Sequence, residues 1–270
     1  MPDRPVIADD TPNDRGTEGA PSEKRVVGRA LAFAFGVAAY GAFLVTFLYT
    51  IGFVADEIVP KSINRGETAT TAQALVIDLL LLANFVLQHS GMARHPFKRW
   101  LTRFVPASIE RSAYVFASSL ALILLLWRWQ PIPAVIFEVQ EPIIAGLLRG
   151  ISLSGWLIVL LSKFLINHFE LFGLQHVWVN LIARRPEAQQ FRTPLLYQFV
   201  RHPIYLGFII AFWATPMMTV GHLLFAMTTT AYILLGIRFE ERDLTALYGE
   251  DYRKYQRQVR RLIPIPRRSE

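Results

Sequence analysis

The stretch Arg201-His202-Pro203-Ile204-Tyr205-Leu206-Gly207 opens a long apolar run, and Glu240-Glu241-Arg242-Asp243-Leu244, followed by Tyr248-Gly249-Glu250-Asp251-Tyr252-Arg253-Lys254-Tyr255, closes it. The chain between the two charged blocks is about long enough to cross a bilayer core of roughly 30 Å and return. Both blocks are therefore expected at one membrane face, where together they make a polar pocket against lipid. Pro203 fits the first turn of a helix, where its missing N–H costs nothing. That puts Arg201 and His202 at the partly positive N-terminal mouth of the helix, a setting that suits a carboxylate. Tyr205 and Gly207 follow within a turn or so, and the glycine lets a ligand or another helix come close. Glu240 and Glu241 leave the returning helix at the same face, as acceptors for hydroxyl or amino groups. A plainer reading of 248–255 is an interfacial basic and aromatic helix that anchors the tail. It accounts for Arg253, Lys254 and Arg257, but not for the two glutamates or the paired placement of the blocks.

Outward from these blocks, the composition agrees with a membrane setting. Of 270 residues, 53% are hydrophobic and 13% aromatic, and the apolar residues are clustered in runs, unlike those of an ordinary soluble domain. Runs at about 30–54, 72–90, 112–127, 150–168, 203–220 and 222–238 predict an all-α integral membrane protein with about six transmembrane helices. The last two are split only by Pro216 and Gly221, so they form a tight hairpin or a re-entrant pair, and a cytoplasmic C-terminal helix follows. Residues 1–28 read as a polar tail, rich in Pro, Asp, Thr and Gly and expected to be disordered. Residues 29–168 read as the N-terminal membrane helices and 169–270 as the region that carries the site. The first apolar run is too long, and too far from the start of the chain, for a signal peptide.

Net charge is +7, and the six-span arrangement puts 23 of the 28 Lys and Arg on one side. By the positive-inside rule, both termini and both charged blocks are cytoplasmic. The basic balance then reflects topology and acidic headgroups, and no nucleic-acid partner is expected. The chain has no cysteine, which excludes disulfides, thiolate nucleophiles and Cys-ligated metals. No metal site is expected either, since the histidines at 89, 95, 168, 176, 202 and 222 show no ligand-pair spacing on a helix. No Gly-x-Gly-x-x-Gly or Walker-type loop is present, so a nucleotide would have to be held differently.

Ionisable residues within a span are costly and are functional candidates by default. The second span has Asp78, Gln88 and His89, with Asp78 and His89 eleven residues apart on nearly the same face. In the fourth, Lys163, Asn167 and Glu170 form one stripe with His168 beside it. Asp78 and Lys163 can also pair inside the bundle, Lys163 can snorkel, and His89 reads as a hydrogen-bonded packing residue. Asn167 and His168, which end an apolar run, are expected to line a pocket.

The His-Pro-x-Tyr-x-Gly opening and the paired-glutamate closing resemble the isoprenylcysteine carboxyl methyltransferase superfamily of integral membrane methyltransferases, over about residues 165–264. A closer resemblance rests on Ile51-Gly52-Phe53-Val54, Val59-Pro60-Lys61-Ser62-Ile63, Leu87-Gln88-His89-Ser90 and Phe164-Leu165-Ile166-Asn167-His168-Phe169-Glu170-Leu171-Phe172-Gly173-Leu174. These blocks are similar to the bacterial methanethiol S-methyltransferases, which convert methanethiol and S-adenosylmethionine to dimethyl sulfide and S-adenosylhomocysteine. The resemblance implies S-adenosylmethionine contacts at Tyr197, His202, Pro203, Tyr205 and Glu240 or Glu241, with Arg201 also in the motif. It implies a small volatile thiol as substrate and a place in the bacterial inner membrane.

Gly207 joins the cofactor set, as does Tyr252, whose ring is expected over adenine together with that of Tyr255. Methyl transfer from a sulfonium is an in-line displacement, so the protein must align the reactants, exclude water and favour the thiolate. His168 is the first candidate for the base, with Asn167 orienting it, and His202 is the second. Arg201 is the candidate for lowering the thiol's pKa. The competing readings are another acceptor within the superfamily (a prenylcysteine carboxylate, a lipid amine or an oxidised sulfur species), a non-catalytic membrane protein, and a sterol-reductase-like enzyme.

Overall fold

A computed structural model describes residues 23–166, 173–182 and 193–264. Its long helices are α1 (Glu23–Ala55), α2 (Thr71–Ala93), α4 (Ala107–Arg128), α5 (Pro142–Ile166) and α8 (Val220–Gln258). Shorter ones are α3 (His95–Leu101), α6 (Leu174–Leu181) and α7 (Pro203–Trp213). The five long helices are each long and apolar enough to cross a membrane. Leucines such as Leu80, Leu87, Leu147 and Leu153 face outward along them, as lipid-facing residues do. The interior is an aromatic stack: Phe47 and Phe212 each meet Trp156 edge-on, Phe225 meets Phe212, and Trp129 meets Phe225.

The expected fifth span is not a single helix. α7 starts at Pro203 and stops at Trp213, giving about 16 Å of helix, too little to cross a bilayer alone. Pro216 lacks an N–H and restricts the residue before it to extended backbone, and the chain continues as strand β2 (Met217–Thr219). Helix α7 and this extended piece together run from the His202–Glu241 contact at one end of the bundle to Thr219, which donates to Asn64 at the other. β2 pairs antiparallel with β1 (Val135–Glu138), in register Val135 with Thr219, with an irregularity before Phe137. The all-α expectation missed this small ribbon, since three- and four-residue strands leave too little alternation to read.

α7 is held by unusually close packing on α5. A Cβ at Gly155 would stand 2.6 Å from the Gly207 carbonyl oxygen, and one at Gly207 2.6 Å from that of Gly155. Ser152 Oγ donates to Ala211 O at 2.9 Å. Small residues that let two backbones meet, with a hydroxyl bridge between them, are the usual way apolar helices associate in lipid.

The end of the bundle away from the charged blocks is sealed. Asp56, at φ 59, accepts from Ser62 Oγ, Asn64 Nδ2 and Arg65 Nε. Trp129 Nε1 donates to Ile63 O at 3.1 Å, and Gln130 N donates to Asp78 Oδ1 at 2.9 Å. Asp78 and Ser62 are fully buried there. Asp78 thus caps the chain leaving α4. Lys163 lies over the rings of Phe43 and Phe47 instead, so the two form no pair, and Lys61 is the cation that faces Asp78.

Candidate active site

At the opposite end, the segment before α7 and the tail after α8 are stitched together. Val200 pairs parallel with Arg260, Arg201 N donates to Arg260 O at 2.8 Å, and His202 N donates to Arg261 O at 3.1 Å. The tail reaches this position because α8 breaks at Gly249 (φ 55, ψ −124), a conformation open only to glycine. After the break, Tyr255 donates its hydroxyl to Tyr197 O.

Glu241 is the centre of the stitch. Arg201 donates to Oε1 from Nε at 2.9 Å and from Nη2 at 2.6 Å, and Arg261 donates to Oε2 at 2.9 and 2.7 Å. His202 Nε2 stands 3.3 Å from Oε1. Arg201 also caps the end of α8 by donating from Nη1 to Gln256 O and Val259 O. A carboxylate buried against two guanidinium groups is a structural ion cluster, and its geometry satisfies the oxygens that burial would otherwise penalise. Arg201, expected to act on a thiol, therefore has all three nitrogens committed.

Glu240 behaves differently. Its side chain is 44% exposed, and Nδ1 of the buried His202 lies 3.6 Å from Oε2. The Tyr205 ring lies 5.6 Å from that of His202, and both Tyr205 and Tyr197 lie within electrostatic reach of Glu240. Burial pushes the His202 imidazole below its ordinary pKa against the upward pull of Glu240 and Glu241, so it is neutral near pH 7. With one N–H, it serves one carboxylate at a time. Burial, with Glu240 second, raises the Tyr197 phenol, which stays a donor.

Of the expected cofactor residues, Tyr197, His202, Tyr205 and Glu240 thus converge, Pro203 sets the helix start, and Glu241 anchors them from behind. Gly207 faces the Gly155 backbone, the second of the two uses foreseen for it. Tyr252 is 1% exposed and packs on Tyr255, so its ring offers no open face for adenine. Asn167, His168 and Glu170 lie outside the described residues. Arg261 was missed in the sequence, where it reads as one more basic residue of the tail. Beside the cluster a cavity of about 900 Å³ is lined by Glu241 with its partners Arg201 and Arg261, by Arg253, Arg257 and Arg260, and by uncharged residues of the tail.

A half-exposed carboxylate beside a neutral imidazole and phenols, at the charged end of a bundle of apolar helices, fits an integral membrane transferase. Residues 156–246 match the model of the isoprenylcysteine carboxyl methyltransferase (ICMT) family. The chain is 56% identical over 234 residues to methanethiol S-methyltransferase 1 of Bradyrhizobium diazoefficiens, covering 87% of this chain and 82% of the relative. It is 52% identical over 240 residues to methanethiol S-methyltransferase of Mycobacterium tuberculosis, covering 89% and 98%. No solved structure gives a significant match. The chain belongs to the methanethiol S-methyltransferase family.

Proposed function

We propose that this chain transfers the methyl group of S-adenosylmethionine to methanethiol, giving dimethyl sulfide and S-adenosylhomocysteine. The observation that carries this reading is the half-exposed Glu240 carboxylate beside His202, Tyr205 and Tyr197. It suits a cofactor with an ammonium group and a ribose diol. When bound, that cofactor supplies a methyl group on a positively charged sulfur.

The chain's own residues bind, align and take a proton. Glu240, His202, Tyr205 and Tyr197 hold the cofactor, while Glu241, Arg201 and Tyr252 position them from behind. A small alkanethiol is mostly protonated at neutral pH. His168 takes its proton, with Asn167 orienting the ring, and neutral His202 is the second candidate for that role. His168→Ala should lower turnover by about 10²–10⁴-fold with cofactor affinity unchanged, and its residual rate should rise with pH. Near-normal turnover at neutral pH removes His168 from catalysis.

The membrane arrangement we infer has six crossings, made by α1, α2, α4, α5, the α7–β2 leg and α8. Both termini and the charged cluster are then on the cytoplasmic side of a bacterial inner membrane. Reporter fusions at Ser62 and Glu138 should read exterior and one after Glu270 cytoplasmic; a cytoplasmic signal at Glu138 defeats this topology. The activity is tested with purified protein in detergent, S-adenosylmethionine and a panel of thiols, with headspace detection of methyl sulfides. Methylation of a prenylcysteine carboxylate or a lipid amine, with no thiol turned over, would transfer the assignment to another acceptor.

A further inference from the structure

A second set of polar side chains lies next to Glu240 and is not used above. His89 and Gln88 of α2, Tyr114 and Ser118 of α4 and Tyr232 of α8 meet at the charged end of the bundle. Ser118 Oγ lies 3.2 Å from His89 Nδ1 and accepts from Gln88 Nε2 at 3.3 Å. Tyr114 Oη stands 3.0 Å from His89 Nε2 and 3.2 Å from Nδ1, so it occupies one ring nitrogen at a time. Tyr232 Oη is 3.0 Å from Ser90 Oγ, and the Phe85 ring stacks on His89 with centroids 5.3 Å apart. Tyr205, already beside Glu240, is within electrostatic reach of both Tyr114 and Tyr232. Lys163 is the charged group that faces His89 from α5, four residues before Asn167 in the chain.

None of His89, Tyr114, Ser118, Tyr205 and Tyr232 is fully buried, although all sit on apolar helices. At the sealed end, by contrast, Asp78 and Ser62 are completely enclosed. An ionisable side chain at membrane depth is a functional candidate by default, and His89 is the one in this cluster. Gln88 Oε1 is buried with no hydrogen-bond partner among the described residues, so one acceptor of the cluster lacks a protein donor.

We propose that this side-chain cluster of α2, α4 and α8 binds the methyl acceptor, a small neutral thiol that arrives through the bilayer. His89 and Tyr114 hold its sulfur, and Phe85 packs against its methyl group. A thiol is a weak donor through S–H and a weak acceptor through sulfur. An imidazole nitrogen next to a phenol offers both complements. The inference rests on the methyltransferase reading above and adds where the acceptor binds.

The chain has no cysteine, so Ser118→Cys gives the full chain in detergent a single thiol. Methyl methanethiosulfonate, which attaches a CH₃S group of methanethiol's size, should label it, as read by intact mass. Dimethyl sulfide with saturating S-adenosylhomocysteine should slow that labelling several-fold. At Leu120→Cys, on the same helix but half exposed on its outer face, dimethyl sulfide should give no protection. In turnover, His89→Asn and Tyr114→Phe should each raise KM for methanethiol roughly tenfold, the loss expected for one hydrogen bond, with S-adenosylmethionine affinity unchanged. Labelling of Ser118→Cys that ignores dimethyl sulfide, or wild-type KM in both variants, overturns the pocket while leaving thiol methylation intact. A wild-type protein that methylates no thiol removes the reading and the pocket together.

Discussion

The two ends of the bundle are both polar, and they are built in opposite ways. At the sealed end, Asp56, Ser62, Asn64, Arg65 and Thr219 hold one another, and the fully buried Asp78 accepts from Gln130 N through Oδ1 while its enclosed Oδ2 has no partner among the described residues. At the other, Glu241 is saturated in the same fashion, yet Glu240 next to it keeps a side chain 44% exposed. Saturated polar groups fasten loops and helices, whereas groups left with open valences are available to a ligand. The contrast separates two adjacent glutamates that the sequence presents as equals.

Breaking the fastening should have the largest effect. Glu241→Ala leaves Arg201 buried without its counter-ion and is expected to lower stability by about 3–5 kcal/mol, seen as a large fall in melting temperature with loss of cofactor binding. A variant that melts like the wild type would mean that the stitch between 200–202 and 260–261 holds without its carboxylate. Glu240→Ala should come next, weakening S-adenosylmethionine binding by roughly tenfold to a hundredfold in calorimetric titration with little change in melting. If the two glutamates exchange these phenotypes, the division of labour is reversed.

At the sealed end, Asp78→Ala should cost about 1–3 kcal/mol by stranding the Gln130 N–H, with cofactor affinity at the wild-type level. Reduced affinity would show that the two ends are coupled.

The smallest effect is the pH response of His202. Its folded pKa lies below the ordinary value, through burial, so the unfolded chain takes up a proton first as pH falls. Its contribution to stability is therefore present above about pH 6.5 and is lost as pH drops below that value. Melting curves should show this loss in the wild type, and His202→Gln should flatten it. Identical pH profiles would assign the loss to other groups.

Much of the charged end could be read in the sequence. The spacing of the two blocks predicts their meeting, and Arg201 and Glu241 are in contact at 2.6 Å. Their assignments to bundle ends follow from length alone, because each helical leg must carry its polar terminus across the same apolar thickness. Which glutamate turns outward did not follow. Residues i and i+1 point about 100° apart on a helix, and only packing fixes the absolute rotation. Arg261 was equally hidden, because it arrives through a parallel pairing with residues some sixty positions earlier, which no local pattern signals. Helix α7 was overestimated because hydropathy continues through Ala214–Met218 after the helix has ended.

The Gly155–Gly207 contact changes how mutational data from this chain should be interpreted. A genetic screen for inactive alleles would recover side chains at Gly155 alongside those at His202 or Glu240, although Gly155 faces only another backbone. Any added side chain there pushes α7 outward and carries His202 and Tyr205 with it. Position 155 would then score like a contact residue in a survey of phenotypes. Restoring the allele by a compensating change on α5 or α7, without any change near a ligand, would reveal it as a matter of helix spacing.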